Sequence, residues 1–554
     1  RSHFGCKGVA VLCCATCVQA TAGVVPMRPQ PCHKEDLAAL GLDVVPMDGV
    51  SGLDTAPLDA AVGRLRAQVD AGKYPGFMSC VLEAGRCVHF HAYGLADICS
   101  DIPLKANTIF RLYSQTKPLT VVGFLQLLER GLVALEDPLS KYIPGFANTV
   151  VGEKSKPLSR PITLHDLVAH ASGIGFGPGF GYEVENDYEK SYVELVRGVD
   201  LGEIKSLADW CTRLANVPLR FQPGKDWGYG FSSDVLGRIV EVVSGKPLDV
   251  FLKQEVIDPL GMHDTGFTLP AEKAPRLAAL YKREPWDGSG KNVKYLTLDA
   301  GGNGVIADAA KGVTGVKAGG EGGTYTAPSS SVFLSGKAAQ VIQGGGCVCS
   351  VAGGLVSSLR DYARFGQMLL NGGELDGQRI ISPSTVHLLW RDWLNDYTSE
   401  KRKQPLWVWG TVGIGFSPLG QMGVKHPNAS RREPGTALET IHWGGAGGSG
   451  YMFNWPHKVQ VLTYTGCAYD TDAQKMMWKA AMTAVGRKRK ATLQGPSPGL
   501  SCAEEDSPTQ EVHRKPCQQT FKKRPLGIES CGIVTGGPVS SPCRRRVMQK
   551  KPGF

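Results

Sequence analysis

Two residues three apart carry the strongest chemical suggestion in the chain. Ser114-Gln115-Thr116-Lys117 sets a hydroxyl and an amine at positions i and i+3, which share one face of a helix. An amine that is partly desolvated there can accept the serine proton and make Ser114 a nucleophile. A helix beginning at this point also turns backbone N–H groups towards the place where an oxyanion forms. The spacing alone is weak, because ordinary Ser and Lys usage gives roughly one or two SxxK in a chain this long. Its surroundings give it weight.

A strand-like lead-in, Ile109-Phe110-Arg111-Leu112-Tyr113, precedes the serine. An apolar helix should follow, with Val121, Val122, Leu125 and Leu128 on its buried face and Gly131 at its end. Upstream, Leu58, Val62, Leu65 and Val69 recur at helical spacing behind Pro57, predicting a helix to about Ala71. Phe77–Leu82 and Cys87–Tyr93 then read as two strands joined by the turn Glu83-Ala84-Gly85-Arg86. Late in the chain Gly450–Trp455 and Val459–Tyr464 flank Pro456-His457-Lys458 in the same way. Helices are expected from Leu359 to about Leu370 and from about Ala473 to Val485. An early hairpin, a mostly helical middle and a late hairpin suggest one sheet assembled from both ends of the chain.

The remaining segments read differently. Residues 1–50 look poorly structured. Within them Arg1 and Lys7 precede the apolar run Val9–Val18 and Ala20-Thr21-Ala22. That is the outline of a secretory signal, which chance supplies at least as readily, so the compartment stays open. Trp286–Gly346 is Gly- and Ser-rich with weak periodicity and reads as an insertion or long surface loop. From Gly486 to Phe554, Pro, Ser and Lys/Arg clusters without apolar periodicity suggest a basic, disordered tail. This tail carries 14 Lys and Arg against 5 Asp and Glu, so nearly all of the net charge of +10 belongs to it. The basic balance therefore gives no reason to expect a nucleic-acid partner for the folded part. No run approaches the roughly 18 consecutive apolar residues of a membrane span. Of the 16 cysteines, five lie between Cys6 and Cys32 and four between Cys502 and Cys543, with no framework spacing. Cys14-Ala-Thr-Cys17 lacks a second ligand pair, and no metal site is expected. Gly445–Gly450 matches GxGxxG but leads into a strand, which fails the context test for a dinucleotide site.

The run Phe110 to Phe146 resembles the active-site helix of the serine β-lactamase and penicillin-binding-protein superfamily, in which the Ser of SxxK is the nucleophile and the Lys its base partner. Further matches occur in that family's order. Ile162-Thr163-Leu164 through His170-Ala171-Ser172-Gly173 resembles its "LLxHxSG" helix end. Phe221-Gln222-Pro223-Gly224 with Trp227-Gly228-Tyr229 resembles the segment bearing its catalytic Tyr. Pro259-Leu260-Gly261-Met262 resembles its "PLGM" turn, and Gly353-Gly354-Leu355 through Leu370 fits as well. The likeness covers roughly Leu53 to Val485.

Two departures point to the esterase branch, the family VIII carboxylesterases. The family's Tyr-x-Asn reads Tyr229-Gly230-Phe231, so a phenyl ring replaces an amide. Its Lys-Thr-Gly reads Trp443-Gly444-Gly445, so an apolar ring stands where a cation would meet the β-lactam carboxylate. A shifted register, His442-Trp443-Gly444, ranks lower.

The resemblance implies an α/β fold of the β-lactamase/transpeptidase-like type: an antiparallel sheet flanked by helices, plus a helical subdomain, with the domain spanning residues 53–485. It implies Ser114 as nucleophile, with Lys117 and Tyr229 sharing the proton traffic; coupled groups titrate as a unit, so neither is singled out as base. It implies an oxyanion hole from the backbone N–H groups of Ser114 and Ala446, and substrate contacts from Trp443, Gly444, Gly445 and Phe231. His170 is expected to be a structural hydrogen-bonding residue at a helix end. An acyl-enzyme mechanism needs no metal or cofactor, and the expected partner is a small-molecule ester or amide. Three classes stand at this point: ester hydrolysis or acyl transfer, β-lactamase or D-alanyl-D-alanine peptidase activity, and a non-catalytic binding relative.

Overall fold

The computed structural model describes residues 53–97, 101–176, single positions between 191 and 204, 206–283, four short strands between 293 and 325, and then 354–398, 406–424, 440–468 and 470–494. The expectations for residues 1–50, for most of 286–346 and for the chain beyond 494 lie outside the described residues.

An eight-stranded sheet forms the centre, in the order Ile414–Ser417, Gly420–Gly423, Thr440–Gly445, Ser449–Asn454, Val459–Tyr464, Gly76–Glu83, Arg86–Asp97 and Ile102–Pro103. Every neighbouring pair is antiparallel. The sheet is closed across the two ends of the chain by the register Met78↔Tyr464 to Glu83↔Val459. The early hairpin turns at Ala84 and Gly85, both with positive φ (49° and 86°), the pattern of a two-residue primed turn.

Both faces of this sheet are covered, which is why its central strands read as near-continuous apolar runs. On one side Phe77, Val81, Val459 and Val461 pack against Leu58, Val62 and Leu65 of helix Ala56–Asp70 and Met477 and Trp478 of helix Asp472–Gln494. On the other side Met78, Cys80, Leu462 and Tyr464 join a larger core with helices Thr116–Glu129, Ser232–Ser244 and Leu359–Leu370. The Thr116–Glu129 helix is buried around most of its circumference, so it shows almost no amphipathic stripe.

The stretch read as an insertion or long surface loop contains strands Val293–Leu298, Gly304–Val305, Val316–Ala318 and Gly323–Tyr325, which extend a second sheet through Tyr281–Arg283 to Cys467–Ala468. Three of them are only two or three residues long, too short for period-two alternation to register. The last helix also continues past Val485 to Gln494, and Arg487 bonds Asp54 at 2.6 Å. Lys/Arg-rich composition hid those extra turns, although such residues are good helix formers.

Candidate active site

Strand Ile109–Arg111 pairs with Val356–Ser358 and delivers the chain to a short 3-10 turn, Tyr113–Gln115, from which helix Thr116–Glu129 continues. The turn is fixed from several sides. Leu112 N–H donates to the Leu355 carbonyl at 2.8 Å, Leu355 N–H donates to Thr116 Oγ1 at 2.9 Å, and Tyr362 O–H donates to the Gln115 carbonyl at 3.2 Å. Tyr113, immediately before Ser114, holds φ at 49°, a costly conformation for a non-glycine residue that persists only where the surroundings impose it.

Ser114 is 6% exposed and Lys117 4%. Lys117 Nζ lies 3.3 Å from Ser114 Oγ as donor, and Tyr229 O–H donates to the same oxygen at 2.7 Å. Lys117 Nζ also sits 4.8 Å from the centre of the Tyr229 ring. The serine oxygen thus meets an amine and a phenol that lie beside each other, both donating to it.

Tyr229 is placed by Gly230. A Cβ there would lie 2.0 Å from the Ile174 carbonyl oxygen, so only glycine lets the Tyr229 segment press onto the Ile174–Gly175 backbone. Phe231 N–H donates to the Gly175 carbonyl at 3.2 Å and helix Ser232–Ser244 starts directly afterwards.

His170 ends helix Leu164–Val168, whose start is fixed by a reciprocal capping box between Thr163 and Asp166. Its ring stacks on Tyr229, with centroids 5.2 Å apart and an interplanar angle of 27°. Burial, and the charge of Lys117 beside it, push the imidazole down to about 3. It is therefore neutral at physiological pH.

The strand Thr440–Gly445 borders the site. A Cβ on Gly445 would fall 2.0 Å from the Leu112 carbonyl oxygen, and one on Gly447 3.0 Å from that of Arg111. The Gly445–Gly448 turn is thus pressed against the Arg111–Tyr113 backbone, which brings Ala446 beside the Ser114 turn. Trp443 stands 5.3 Å from the Tyr229 ring and 5.9 Å from that of Phe416. With Lys117, Val121, His170 and Leu419 these rings line a small, mostly apolar hollow that Ser114 itself does not line.

Phe231 is not in this group. It is fully buried, its ring 4.6 Å from Phe176, 5.0 Å from Trp210 and 6.3 Å from Tyr192. The expected substrate contact is therefore corrected: position 231 starts a helix and its ring turns into the core, leaving Phe176 between it and Tyr229. The sequence reading also missed Phe416 and Leu419. Their signal was a two-residue turn, Pro418-Leu419, between two short runs, Ile414–Ser417 and Gly420–Gly423.

A model of the Beta-lactamase family matches residues 61–484. The chain belongs to the beta-lactamase family. Protein Rv1367c of Mycobacterium tuberculosis (strain ATCC 25618 / H37Rv) is 29% identical over 413 residues, covering 72% of this chain and 87% of that protein. Esterase EstB of Burkholderia gladioli is 36% identical over 196 residues, 35% of this chain and 47% of EstB. Among solved structures, "EstCE1, a hydrolase with promiscuous acyltransferase activity" superposes with a TM-score of 0.55 at 21% identity, covering 77% of this chain and 98% of that one. This beta-lactamase family member is a hydrolase of the serine type with esterase and acyltransferase homologues. Its fold is the β-lactamase/transpeptidase-like one. No helix among the described residues is long and apolar enough to cross a membrane.

Proposed function

We propose that this family member hydrolyses small carboxylic esters, or transfers their acyl groups, through an acyl-enzyme on Ser114. The observation that carries the reading is the convergence of Lys117 Nζ and Tyr229 O–H on Ser114 Oγ at 3.3 and 2.7 Å. Ser114 attacks the ester carbonyl while its proton passes to the Lys117–Tyr229 pair. The tetrahedral oxyanion meets the backbone N–H groups of Ser114 and Ala446. The same pair returns the proton to the leaving alcohol, and the acyl-enzyme is released by water or by another alcohol.

The choice of ester over β-lactam rests on polarity around the serine. Position 231 offers a phenyl ring locked in the core, and position 443 an indole. Neither supplies an amide hydrogen bond or a cation for a β-lactam carboxylate. The rings of Tyr229 and Trp443, 5.3 Å apart, offer apolar walls that suit a neutral ester. The names of EstB and EstCE1 agree with that class.

A fluorophosphonate probe tests the assignment. Peptide mapping should find one adduct, on Ser114, with none on the Ser114→Ala protein. An adduct on another residue of active protein, or none, refutes it.

A further inference from the structure

On the sheet face opposite Ser114, helix Ala56–Asp70 lies along strand Arg86–Asp97 and meets it in successive polar rungs. Asp59 Oδ1 is 3.3 Å from His89 Nε2, Arg66 Nη2 is 3.3 Å from His91 Nδ1, and Tyr93 O–H donates to Asp70 at 2.8 Å. His89 and His91 are two apart on a strand, so their rings project from one face; the ring centroids are 4.7 Å apart. We propose that Asp59, His89 and His91 form a binding site for a borderline divalent transition metal of the zinc class, independent of the serine chemistry.

Two observations carry this. One donor atom from each residue lies within 4.8 Å of the other two. The 3.3 Å between Asp59 Oδ1 and His89 Nε2 is also nearly the edge of a tetrahedral shell, about 3.4 Å for bonds of ~2.1 Å. Two imidazoles and one carboxylate are a donor set that zinc accepts, with water completing the shell.

The second observation is unmet polarity. His89 is 2% exposed, and its Nδ1 has no hydrogen-bond partner among the described residues. The same holds for His91 Nε2, for Ser79 Oγ, whose residue faces His91 across the strands, and for Thr463 Oγ1, whose residue faces Ser79 on the other side. Four unpaired buried polar atoms are more than a packed helix–sheet seam tolerates. A cation on Asp59 Oδ1 and His89 Nε2 takes up the lone pair of His91 Nε2, and its bound water can pair with a neighbouring hydroxyl.

Arg66 opposes the cation. Its guanidinium keeps His91 Nδ1 as an acceptor, whereas a metal on Nε2 requires the proton on Nδ1. It has somewhere to go, since its guanidinium carbon already lies 5.1 Å from the centre of the Tyr93 ring. Replacing it by glutamine removes the repulsion and offers a carbonyl that accepts the Nδ1 proton. The geometry therefore demands opposite effects from two neighbouring substitutions.

The test uses the full chain, stripped with chelator and titrated with Zn2+ alone, in four forms: wild type, His91→Gln, Asp59→Asn and Arg66→Gln. Cysteines elsewhere also take zinc, so the readout is the difference between forms. Wild type should hold one equivalent more than His91→Gln, Asp59→Asn should weaken that equivalent at least tenfold, and Arg66→Gln should tighten it at least fivefold. All four should unfold cooperatively and keep ester turnover. Equal zinc stoichiometry in wild type and His91→Gln overturns the proposal, and so does an Arg66→Gln protein that binds no tighter than wild type. Because ester turnover is read separately, failure of the metal site leaves the serine assignment untouched.

Discussion

The imidazole of His170 lies nearly parallel to the phenol ring of Tyr229, 5.2 Å away, and is buried and neutral. Its neutrality matters because Lys117 shares the same ring from 4.8 Å. A cation in place of the imidazole would set two positive groups around the phenol that donates to Ser114.

Acid stability depends on this imidazole and on the other histidines that burial holds low, His442 among them. His170 sits at about 3 and the equally buried His442 at about 4, both far below the ordinary 6.5. Between those values and 6.5 the unfolded chain binds protons that the folded chain refuses. Stability is therefore complete above pH 6.5 and falls as pH drops towards 3. Each such histidine contributes a slope on the order of 1.4 kcal/mol per pH unit. His170→Asn, which tolerates the left-handed backbone at φ 54°, should lower the slope by about that amount. Urea unfolding from pH 7 to 4 measures it, and parallel curves for the two proteins would contradict the assignment.

Tyr229→Phe deletes the 2.7 Å bond to Ser114 and keeps the ring stack. kcat should fall by roughly 10²–10⁴ with KM little changed, as for loss of a positioned proton donor. Lys117→Ala should also cut acylation strongly. If either protein stays within about threefold of wild type in kcat/KM, less than 1 kcal/mol of barrier, that residue is not part of the proton path.

Gly445→Ala and Gly444→Ala form a matched pair. A Cβ at 445 meets the Leu112 carbonyl at 2.0 Å, whereas at 444 the nearest atom, the Ser449 carbonyl, is 3.1 Å away. The first must push the Ala446 turn off the Ser114 turn. It should reduce kcat by about the factor of 10²–10³ known for loss of one oxyanion donor. The second leaves the turn seated on Arg111–Tyr113 and should lose far less than the first. Equal activities in a steady-state ester assay would show that this close approach does not serve the reaction.

A chain ending at Gln494 should keep ester turnover and cooperative unfolding. Residues 495–554 lack apolar periodicity, and the shortened chain retains the Arg487–Asp54 bond. Loss of cooperative unfolding in a thermal scan would show that residues beyond 494 complete the core.

Most of the framework is legible before any coordinates. Apolar runs bounded by turn signals mark both hairpins, and helical spacing marks the helices at 56–70, 359–370 and 472 onward, because the strands are buried on both faces and lie next to strong turns. The SxxK pair is legible because a helix forces i and i+3 together. Contacts made across long sequence separations are not. Nothing in Tyr229-Gly230-Phe231 says that Phe231 turns into the core while Tyr229 reaches Ser114, 115 residues away. The stacking of His170, the wall from Phe416 and the meeting of Asp59 with His89 depend equally on tertiary placement.

The central claim, a serine hydrolase whose aromatic site suits esters, is tested most directly by comparing two substrates on one purified batch. kcat/KM is measured for p-nitrophenyl butyrate and for penicillin G, with Ser114→Ala as blank. The missing amide hydrogen bond costs about 0.5–1.5 kcal/mol and the missing charge-assisted bond about 1.5–3 kcal/mol, together a factor of roughly thirty or more. The account predicts ester turnover above β-lactam turnover by at least that order, and neither with Ser114→Ala. Faster turnover of penicillin G than of the ester would contradict it.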